Sequence, residues 1–313
     1  MQSSGSATSN STNLAVGGLF TFGSSVVSSR VGISWISNEK ACQNLDDEIP
    51  AETTFKTVVE NTKDAWNSQV LSTITTTSTN ATNLELLYTS LYFMNLLPTN
   101  QTGENPGWNS SEPYYSDIFT LWDLFRCSTA LLHVLQPTVY EEHIRSMIDI
   151  WRFDGYMPDA RSSNYNGRTQ GGSNADNVLA DAYIKGVRGQ VNWDDGYAAM
   201  VKDAEVTPPN TIPPDPQAPD SSTKEGRGAL PDWLTYGFIT PTSVARNPAQ
   251  LNTLTMTFHS IRSRKVLVRQ QILRSISVAQ ETGETTGTQI SSPSDFPVSY
   301  NLGTSPASLI RIP

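Results

Sequence analysis

Four side chains in one short segment could together bind a carbohydrate: Asp117, Trp122, Asp123 and Arg126. Helical spacing places Asp123 and Arg126 on one face, with Trp122 one position away on the buried side. An indole ring can stack on the C–H face of a sugar, while a carboxylate and a guanidinium bind adjacent hydroxyl groups. A core tryptophan beside a surface ion pair would show the same pattern, so spacing alone leaves both interpretations open.

Other carboxylates suit capping or solvation better than catalysis. Asp176 follows Gly171-Gly172-Ser173-Asn174 and could cap a helix start, and Asp181 lies one position off the face the two would share. Asp46-Asp47-Glu48 and Asp194-Asp195 are most simply solvated or capping groups. A calcium site at either run would need further oxygen ligands to converge on it.

Histidines and cysteines show no spacing typical of a catalytic or metal site. The three histidines are His133, His143 and His259; the first two flank Pro137, where a helix boundary is expected, and we predict structural roles for them. Cys42 and Cys127 could form one disulfide or remain as two buried thiols.

Composition disfavours nucleic acids and anionic membranes as partners, and the sequence favours secretion. The net charge of −9 disfavours nucleic acids and anionic membranes, and no apolar run approaches the length of a membrane span. Four Asn-x-Ser/Thr triplets, at Asn10, Asn80, Asn100 and Asn109, favour secretion. The polar first 13 residues are not a signal peptide, which leaves a cytosolic location open.

The hydrophobic pattern changes from strand-like to helical near residue 50. Leu19–Phe22, Val26-Val27 and Val31–Ile36 are β-branched or aromatic and are separated by Gly/Ser turns, which predicts strands. Six amphipathic stripes without intervening strands then predict an array of helices joined by long polar loops. The stripes cover residues 55–70, 84–92, 118–137, 139–151, 178–183 and 197–204.

The composition changes again after residue 250. The last 63 residues contain six basic and three acidic residues, and all seven tryptophans precede residue 234. After Ala279 the chain is rich in Ser, Thr, Pro and Gly and has no sustained periodicity. This pattern predicts a disordered tail over residues 242–313.

Several motifs, taken in order, resemble the family-92 glycoside hydrolases of fungi. Residues 115–126, Tyr-Ser-Asp-Ile-Phe-Thr-Leu-Trp-Asp-Leu-Phe-Arg, are similar to that family's "Y-x-D-x-Y-T-L-W-D-T-F-R" helix. Residues 171–183 are similar to its "G-S-H-A-D-x-V-I-A-D-A-Y" segment, and residues 30–42, 205–210 and 221–233 also match. The likeness extends roughly from Asn13 to Pro241.

The resemblance implies an N-terminal β-sandwich followed by an (α/α)6 toroid. In this chain residues 1–50 would be the last strands of the β-domain with a linker, and residues 51–241 a partial helical domain. The implied reaction is calcium-dependent, inverting release of terminal mannose from an α-mannosyl oligosaccharide or glycoprotein glycan. Inversion uses a carboxylic acid and a carboxylate base ~6.5–9.5 Å apart.

The departures from the family pattern predict an inactive fragment. The motifs "W-Q-Y", "G-N-E-P" and "G-N-D-D-x-G-Q-M-S", which carry the family's acid, base and main calcium ligands, are absent from this sequence, and Asn174 replaces a histidine. No catalytic or metal-ligating residue is therefore assigned, and the fragment is not expected to bind calcium. Trp122, Asp123 and Arg126 remain candidate sugar contacts, with Asn174 and Asp176 as second choices.

Two other functions fit parts of the pattern. Another (α/α) toroid enzyme, such as a polysaccharide lyase, would need a Tyr/His/Arg/Asn catalytic set in these helices. A non-catalytic sugar-binding module would need only the carbohydrate contacts.

A shift of reading frame would account for the altered tail. Residues 251–258, Leu-Asn-Thr-Leu-Thr-Met-Thr-Phe, can be encoded so that a frame two bases later reads Glu-Tyr-Ala-Tyr-Asn-Asp-Phe, similar to the family's continuation. The same shift over residues 275–300 restores tryptophans and other aromatic residues. We therefore predict that translation is out of frame from a point between Thr242 and Leu251.

Overall fold

The computed structural model separates the chain into two compact units, Met1–Thr53 and Thr54–Pro313. It describes residues 21–23, 26–118, 121–125, 127–158, 160–166, 174–206, 230–238, 240 and 310–311. Apart from its residues 310–311, the tail predicted to be disordered lies outside the described residues.

The main element of the first unit is a helix, α1 (Asn38–Glu48). It begins at Ser37, whose hydroxyl accepts a hydrogen bond from the backbone N–H of Lys40 at 3.1 Å. This cap satisfies one of the backbone donors that a helix start leaves unpaired. The sequence interpretation treated this segment as a linker and missed the helix.

The strands predicted at Val26-Val27 and Val31–Ile36 are not formed. Within the first unit, α1 contacts the chain there instead: the Asn44 side chain donates to the Ile33 carbonyl at 3.1 Å. Gly32 is required at the same contact, because a Cβ atom there would lie 2.1 Å from the carbonyl oxygen of Ala41. The β-branched residues here do not form a strand, because the neighbouring element is the helix α1 and no second strand among the described residues lies beside them to pair with.

Two amphipathic helices open the second unit, as their spacing predicts. α2 (Phe55–Gln69) and α3 (Ala81–Met94) are each capped by a side chain that accepts from the N–H three residues on, Thr54 and Asn80 respectively. The rings of Trp66 in α2 and Tyr92 in α3 lie 4.6 Å apart between centroids, so the two helices pack through aromatic side chains.

Four further helices bury the core of the second unit: α5 (Ser128–Leu135), α6 (Pro137–Asp154), α7 (Ala175–Ile184) and α8 (Trp193–Glu205). α6 is central and contacts the other three. Pro137 suits the first position of this helix, because a backbone N–H there would have no partner within the helix and proline has none. The helix ends at Gly155, which adopts the left-handed conformation at φ 89°. The core side chains include Tyr140, Ile144, Met147, Ile148, Val178, Leu179 and Met200.

The third predicted helix is interrupted. It forms as α4 (Leu121–Leu124) and α5, with Cys127 between them at φ −133° and ψ −50°. The Thr129 hydroxyl donates to the Phe125 carbonyl at 3.3 Å, the acceptor that the Thr129 N–H would use in a continuous helix. The final described helix is α9 (Leu230–Tyr236).

The described strands form three short antiparallel pairs. β2 (Thr99–Asn100) pairs with β3 (Tyr115–Ser116), β4 (Arg161–Ser162) with β5 (Tyr165–Asn166), and β1 (Thr75–Thr76) with β6 (Ile310–Arg311). An isolated bridge between Ile118 and Arg161 joins the chain just after β3 to the first residue of β4. The fold is therefore mainly helical, as predicted, whereas the (α/α)6 toroid and the β-sandwich stay predictions.

No helix within the described ranges combines the length and the apolar character needed to cross a lipid bilayer.

Candidate functional site

Two of the predicted sugar contacts, Trp122 and Asp123, lie on α4. The Asp123 side chain is exposed at the surface. The side chain of Trp122 and all of Arg126 lie outside the described residues, so the convergence of these three groups stays a prediction.

Asp117 is fixed differently from the other members of that segment. Its carboxylate accepts hydrogen bonds from the hydroxyls of Thr99 at 3.0 Å and Ser162 at 3.4 Å. Its backbone has φ 54°, a left-handed conformation that is uncommon for a residue with a side chain. These hydrogen bonds to residues of β2 and β4 hold Asp117 in this conformation.

Asn174 and Asp176, the second choices, are both buried at the start of α7, with 2% and 1% of their surfaces exposed. Asn174 occupies the N-cap position, and its side-chain oxygen accepts from Asn177 at 3.2 Å rather than from a backbone N–H. Asp176 lies in the first turn, so the interpretation of this carboxylate as the cap is wrong. Its charge there is favourable to the helix dipole.

Two buried carboxylates were missed by the sequence interpretation. Asp203 of α8 is fully buried, and Asp149 of α6 is 4% exposed. Asp149 accepts from the Trp108 indole at 2.8 Å and from Arg152 at 3.2 Å. The spacing of Asp149 and Arg152, three residues apart in a helical stripe, was the available signal for this pair.

Arg152 links α6 to α8 and to the loop before β3. Its guanidinium donates to Asp195 at 2.8 Å and lies 3.6 Å from Glu112, which also pairs with Arg145 at 2.7 Å. Burial alone would lower the pKa of Arg152, but hydrogen bonds to Asp195 and Asp149 outweigh it and raise that pKa. Asp195 thus takes part in an ion-pair network, beyond the solvation or capping predicted for it.

A buried arginine is the most densely bonded polar group of the described region. Arg161 is 1% exposed and donates to Asp154 at 2.7 Å and to the Asn166 side chain at 2.8 Å. Its guanidinium lies 5.3 Å from the Trp108 ring centroid and 5.6 Å from that of Tyr114. Burial raises the pKa of Tyr114, and Arg161 partly opposes that rise.

Arg161 and the rings of Trp108 and Tyr114 are residue types that often bind sugars, but here the guanidinium forms hydrogen bonds within the protein. All three guanidinium nitrogens of Arg161 donate within the protein, the remaining two to the Tyr114 hydroxyl and the Asn164 carbonyl. The cluster therefore fixes the loop of β4 and β5, which leads towards the family motif at residues 171–183.

The histidine and cysteine predictions have different outcomes. His133 stacks on Tyr140 with centroids 5.2 Å apart, and burial lowers its pKa, in agreement with a structural role. Cys42 and Cys127 are both free and exposed, so the disulfide and the two buried thiols are both wrong.

No group of three or more His, Cys, Asp or Glu side chains could hold a metal ion within the described part of the chain. In the first unit, Asp46 lies 3.8 Å from Arg30, an ion pair rather than a set of converging oxygens. No chemical step is therefore assigned to a metal ion at the described residues.

The chain is similar in sequence to known glycoside hydrolases. The profile of the "Glycosyl hydrolase family 92 catalytic domain" matches residues 40–259. A protein of Arthroderma benhamiae described as an "Uncharacterized secreted glycosidase" is 34% identical over 216 residues, covering 68% of this chain and 23% of that protein.

A solved structure shows a similar fold. A family GH92 inverting mannosidase of Bacteroides thetaiotaomicron matches 73% of this chain and 33% of its own, with a TM-score of 0.57 at 21% identity. The chain thus spans about a quarter and a third, respectively, of these two proteins. The profile match covers most of the second unit and the expected motifs, and the chain therefore belongs to glycosyl hydrolase family 92.

Proposed function

We propose that this chain derives from a glycosidase that releases terminal mannose, with inversion, from α-mannosides of the N-glycan or mannan type. The observation that carries the proposal is the match of residues 40–259 to the family-92 catalytic domain. The similar solved structure is named as an inverting mannosidase, which supports this reaction and stereochemistry.

In this proposal Trp122, Asp123 and Arg126 contact the sugar. Exposure of the Asp123 carboxylate supports this role, because a group that binds a soluble ligand must be reachable from solvent. The indole would cover an apolar face of the ring, and the charged groups would bind neighbouring hydroxyls. Asn174 and Asp176, at the start of α7, are the second-choice contacts.

The chain by itself is proposed to be inactive. An inverting hydrolase needs an acid that protonates the leaving oxygen and a base that activates water from the opposite face. The motifs that would supply these groups are absent from the sequence. Loss of one member of such a cooperating set already removes most activity. Calcium is part of the proposal for the intact family and not for the described residues.

A secreted location is proposed as well. The relative from Arthroderma benhamiae is described as secreted. Asn80, Asn100 and Asn109, three of the four acceptor triplets, lie at exposed positions where an oligosaccharide could be attached.

The test combines hydrolysis with binding. The purified chain is incubated with α-1,2-mannobiose, with calcium and with a chelator, while free mannose is measured; we expect no release under either condition. Calcium-dependent release of mannose would contradict the proposed inactivity. Titration with the same disaccharide by calorimetry measures binding in parallel.

A non-catalytic sugar-binding module is the second candidate. Exposed Asp123 favours it, since binding needs none of the missing acid and base motifs. Binding of mannobiose without hydrolysis supports this candidate, and absence of binding contradicts it. Family membership decides against the alternative of a different toroid enzyme, such as a polysaccharide lyase.

A further inference from the structure

An open apolar pocket of about 500 Å³ lies between α3 and α5. Its wall includes the apolar side chains of Met94, Leu124 and Leu132. Phe93 and Leu97 also line it, with 64% and 44% of their surfaces exposed, so they lie at its edge. Pockets of this volume accept molecules larger than a phenyl ring. A projecting aromatic side chain and an apolar cavity therefore occupy the same face of the second unit.

The exposed apolar surface extends beyond the pocket along both helices. Leu86 lies one turn before Ser90 on α3, and Leu131 lies one turn after Ser128 on α5; both serines line the pocket. Leu86 is 67% exposed and Leu131 is 43% exposed. Together with the two side chains at the pocket edge, they expose on the order of 400 Å² of apolar surface. We call this surface the α3/α5 face, formed by Leu86, Phe93, Leu97 and Leu131.

The α3/α5 face carries almost no charge. Glu85 is the only Asp, Glu, Lys or Arg in α3, and α5 contains none. The Asp117 carboxylate in the pocket wall accepts hydrogen bonds from Thr99 and Ser162, and the positive edge of an aromatic ring can lie beside it. The whole chain has a net charge of −9, so charge repulsion opposes association of two copies. An uncharged face is where two copies can approach with the least repulsion.

The apolar area of this face is sufficient for a dimer. A standard protein interface buries about 800 Å² on each partner, of which rather more than half is apolar. The roughly 400 Å² exposed by the four side chains is close to that apolar share. Exposed apolar patches of this size are often interaction sites.

A second copy of this chain is the partner that fits the face. In a dimer with twofold symmetry, the same surface of both copies forms the interface, so a group that projects from it needs a cavity on that same surface. The α3/α5 face meets this requirement, because Phe93 projects beside the pocket. Aromatic side chains that fill a pocket near the centre of an interface usually contribute most of its binding energy.

We propose that two copies of this chain associate through their α3/α5 faces, with Phe93 of each copy inserted into the pocket of the other. The dimer contact uses none of the proposed mannoside contacts and does not rest on the proposed hydrolase activity.

Analytical ultracentrifugation of the full chain at neutral pH tests the proposal. We expect the average mass to rise from the chain mass of 34.3 kDa towards twice that value as the protein concentration increases. A range from about 0.1 to 100 µM brackets a micromolar dissociation constant. The mass should not rise beyond that of the dimer, because a twofold interface is closed.

Three variants assign the association to the α3/α5 face. Phe93→Glu should raise the dissociation constant of the dimer at least about a hundredfold, because two like charges then meet across the contact. Phe93→Ala removes the ring without adding charge and should raise that constant at least about tenfold. Phe55→Glu is the matched control: Phe55 is 83% exposed at the start of α2 and is not part of the face, so the constant should not change. Far-UV circular dichroism verifies that each variant is folded.

Three results would overturn the proposal. A mass that stays at that of one chain over the whole range would mean that the face is covered within a single copy or remains in contact with water. A broad distribution of species larger than a dimer would mean that the apolar surface associates without a twofold fit. Equal dissociation constants for the unaltered chain and Phe93→Glu would place the interface elsewhere. The first two results are read on the unaltered chain, so the decision stands even if a variant fails to fold.

Discussion

Arg161 and Asp154 form an ion pair of 2.7 Å in which the guanidinium is 1% exposed and the carboxylate 34%. The two residues join the end of α6 to β4, and the guanidinium also lies beside the rings of Trp108 and Tyr114, 5.3 Å and 5.6 Å from their centroids. A buried guanidinium is tolerated because its nitrogens all donate to fixed acceptors. The position of the loop between β4 and β5 therefore depends on the Arg161 side chain.

Replacing Arg161 with methionine should destabilise the chain by about 3 kcal/mol, as breaking a buried, hydrogen-bonded pair does. The loop carbonyl and the amide of Asn166 would lose their donor together. The midpoint of urea unfolding, followed by far-UV circular dichroism, measures the loss. Lys185→Met is the matched control: its pair with Asp181 is more exposed, and we expect a change of about 0.5 kcal/mol or less. Equal losses of unfolding free energy in the two variants would contradict the conclusion that the buried Arg161 pair stabilises the fold more than an exposed pair does.

His143 should make the fold sensitive to mild acid. Its folded-state pKa of about 4 lies below the ordinary value of 6.5, so the unfolded chain binds the proton more readily. Stability from this residue is therefore complete above pH 6.5 and is lost as the pH falls from 6.5 towards 4. Between pH 7.5 and pH 5 the loss should be about 2 kcal/mol.

The control for the acid effect is His143→Leu, which should flatten the dependence of unfolding free energy on pH over that range. Burial also lowers the pKa of His133, so His133→Leu shows how much of the slope belongs to that residue. Tyr115 packs its ring against His143, and burial raises the pKa of Tyr115, so this residue does not titrate over that range. An unchanged slope in His143→Leu would contradict the prediction.

Each of the six apolar stripes predicted from sequence lies on helix in the structure, the short stripes of α7 and α8 as well as the longer ones of α2 and α6. α1 was missed because β-branched residues before it suggested strands, and tertiary contacts overrode that local preference. The Arg161 cluster had no local signal, since Tyr114 is 47 residues away along the chain. Motif likeness identified the family, which spacing and composition alone did not.

Attached oligosaccharide should be found at Asn109 more than at Asn100. The Asn100 side chain is fixed by two hydrogen bonds. Its oxygen accepts from the Thr102 N–H at 3.0 Å, and its amide nitrogen donates to the Tyr115 hydroxyl at 3.3 Å. Asn109 lies at an exposed loop position. After expression through a secretory pathway, Asn109→Gln should remove one glycan mass, whereas Asn100→Gln should leave the intact mass nearly unchanged. The reverse pattern would contradict this ranking.

Sugar binding, if present, should depend on Asp123. Asp123→Asn should weaken binding of α-1,2-mannobiose about tenfold, because a charged acceptor for hydroxyl groups becomes a neutral one. Asp64→Asn, a change of an exposed carboxylate on α2, is the matched control and should have no effect. Titration calorimetry measures both. Identical affinities for the two variants would remove Asp123 from the proposed contacts.

The DNA that encodes residues 242–300 should show a shifted frame. The composition changes after residue 250, where tryptophan is absent and acidic residues become scarce, whereas the family match extends to residue 259. In each shifted codon only one base is free, so a long family-like string is an improbable coincidence. Sequencing the gene and its transcript should reveal an insertion, deletion or retained intron between the codons of Thr242 and Leu251. The shifted frame should then stay open through residue 300, and stop codons throughout that frame would show the prediction to be wrong.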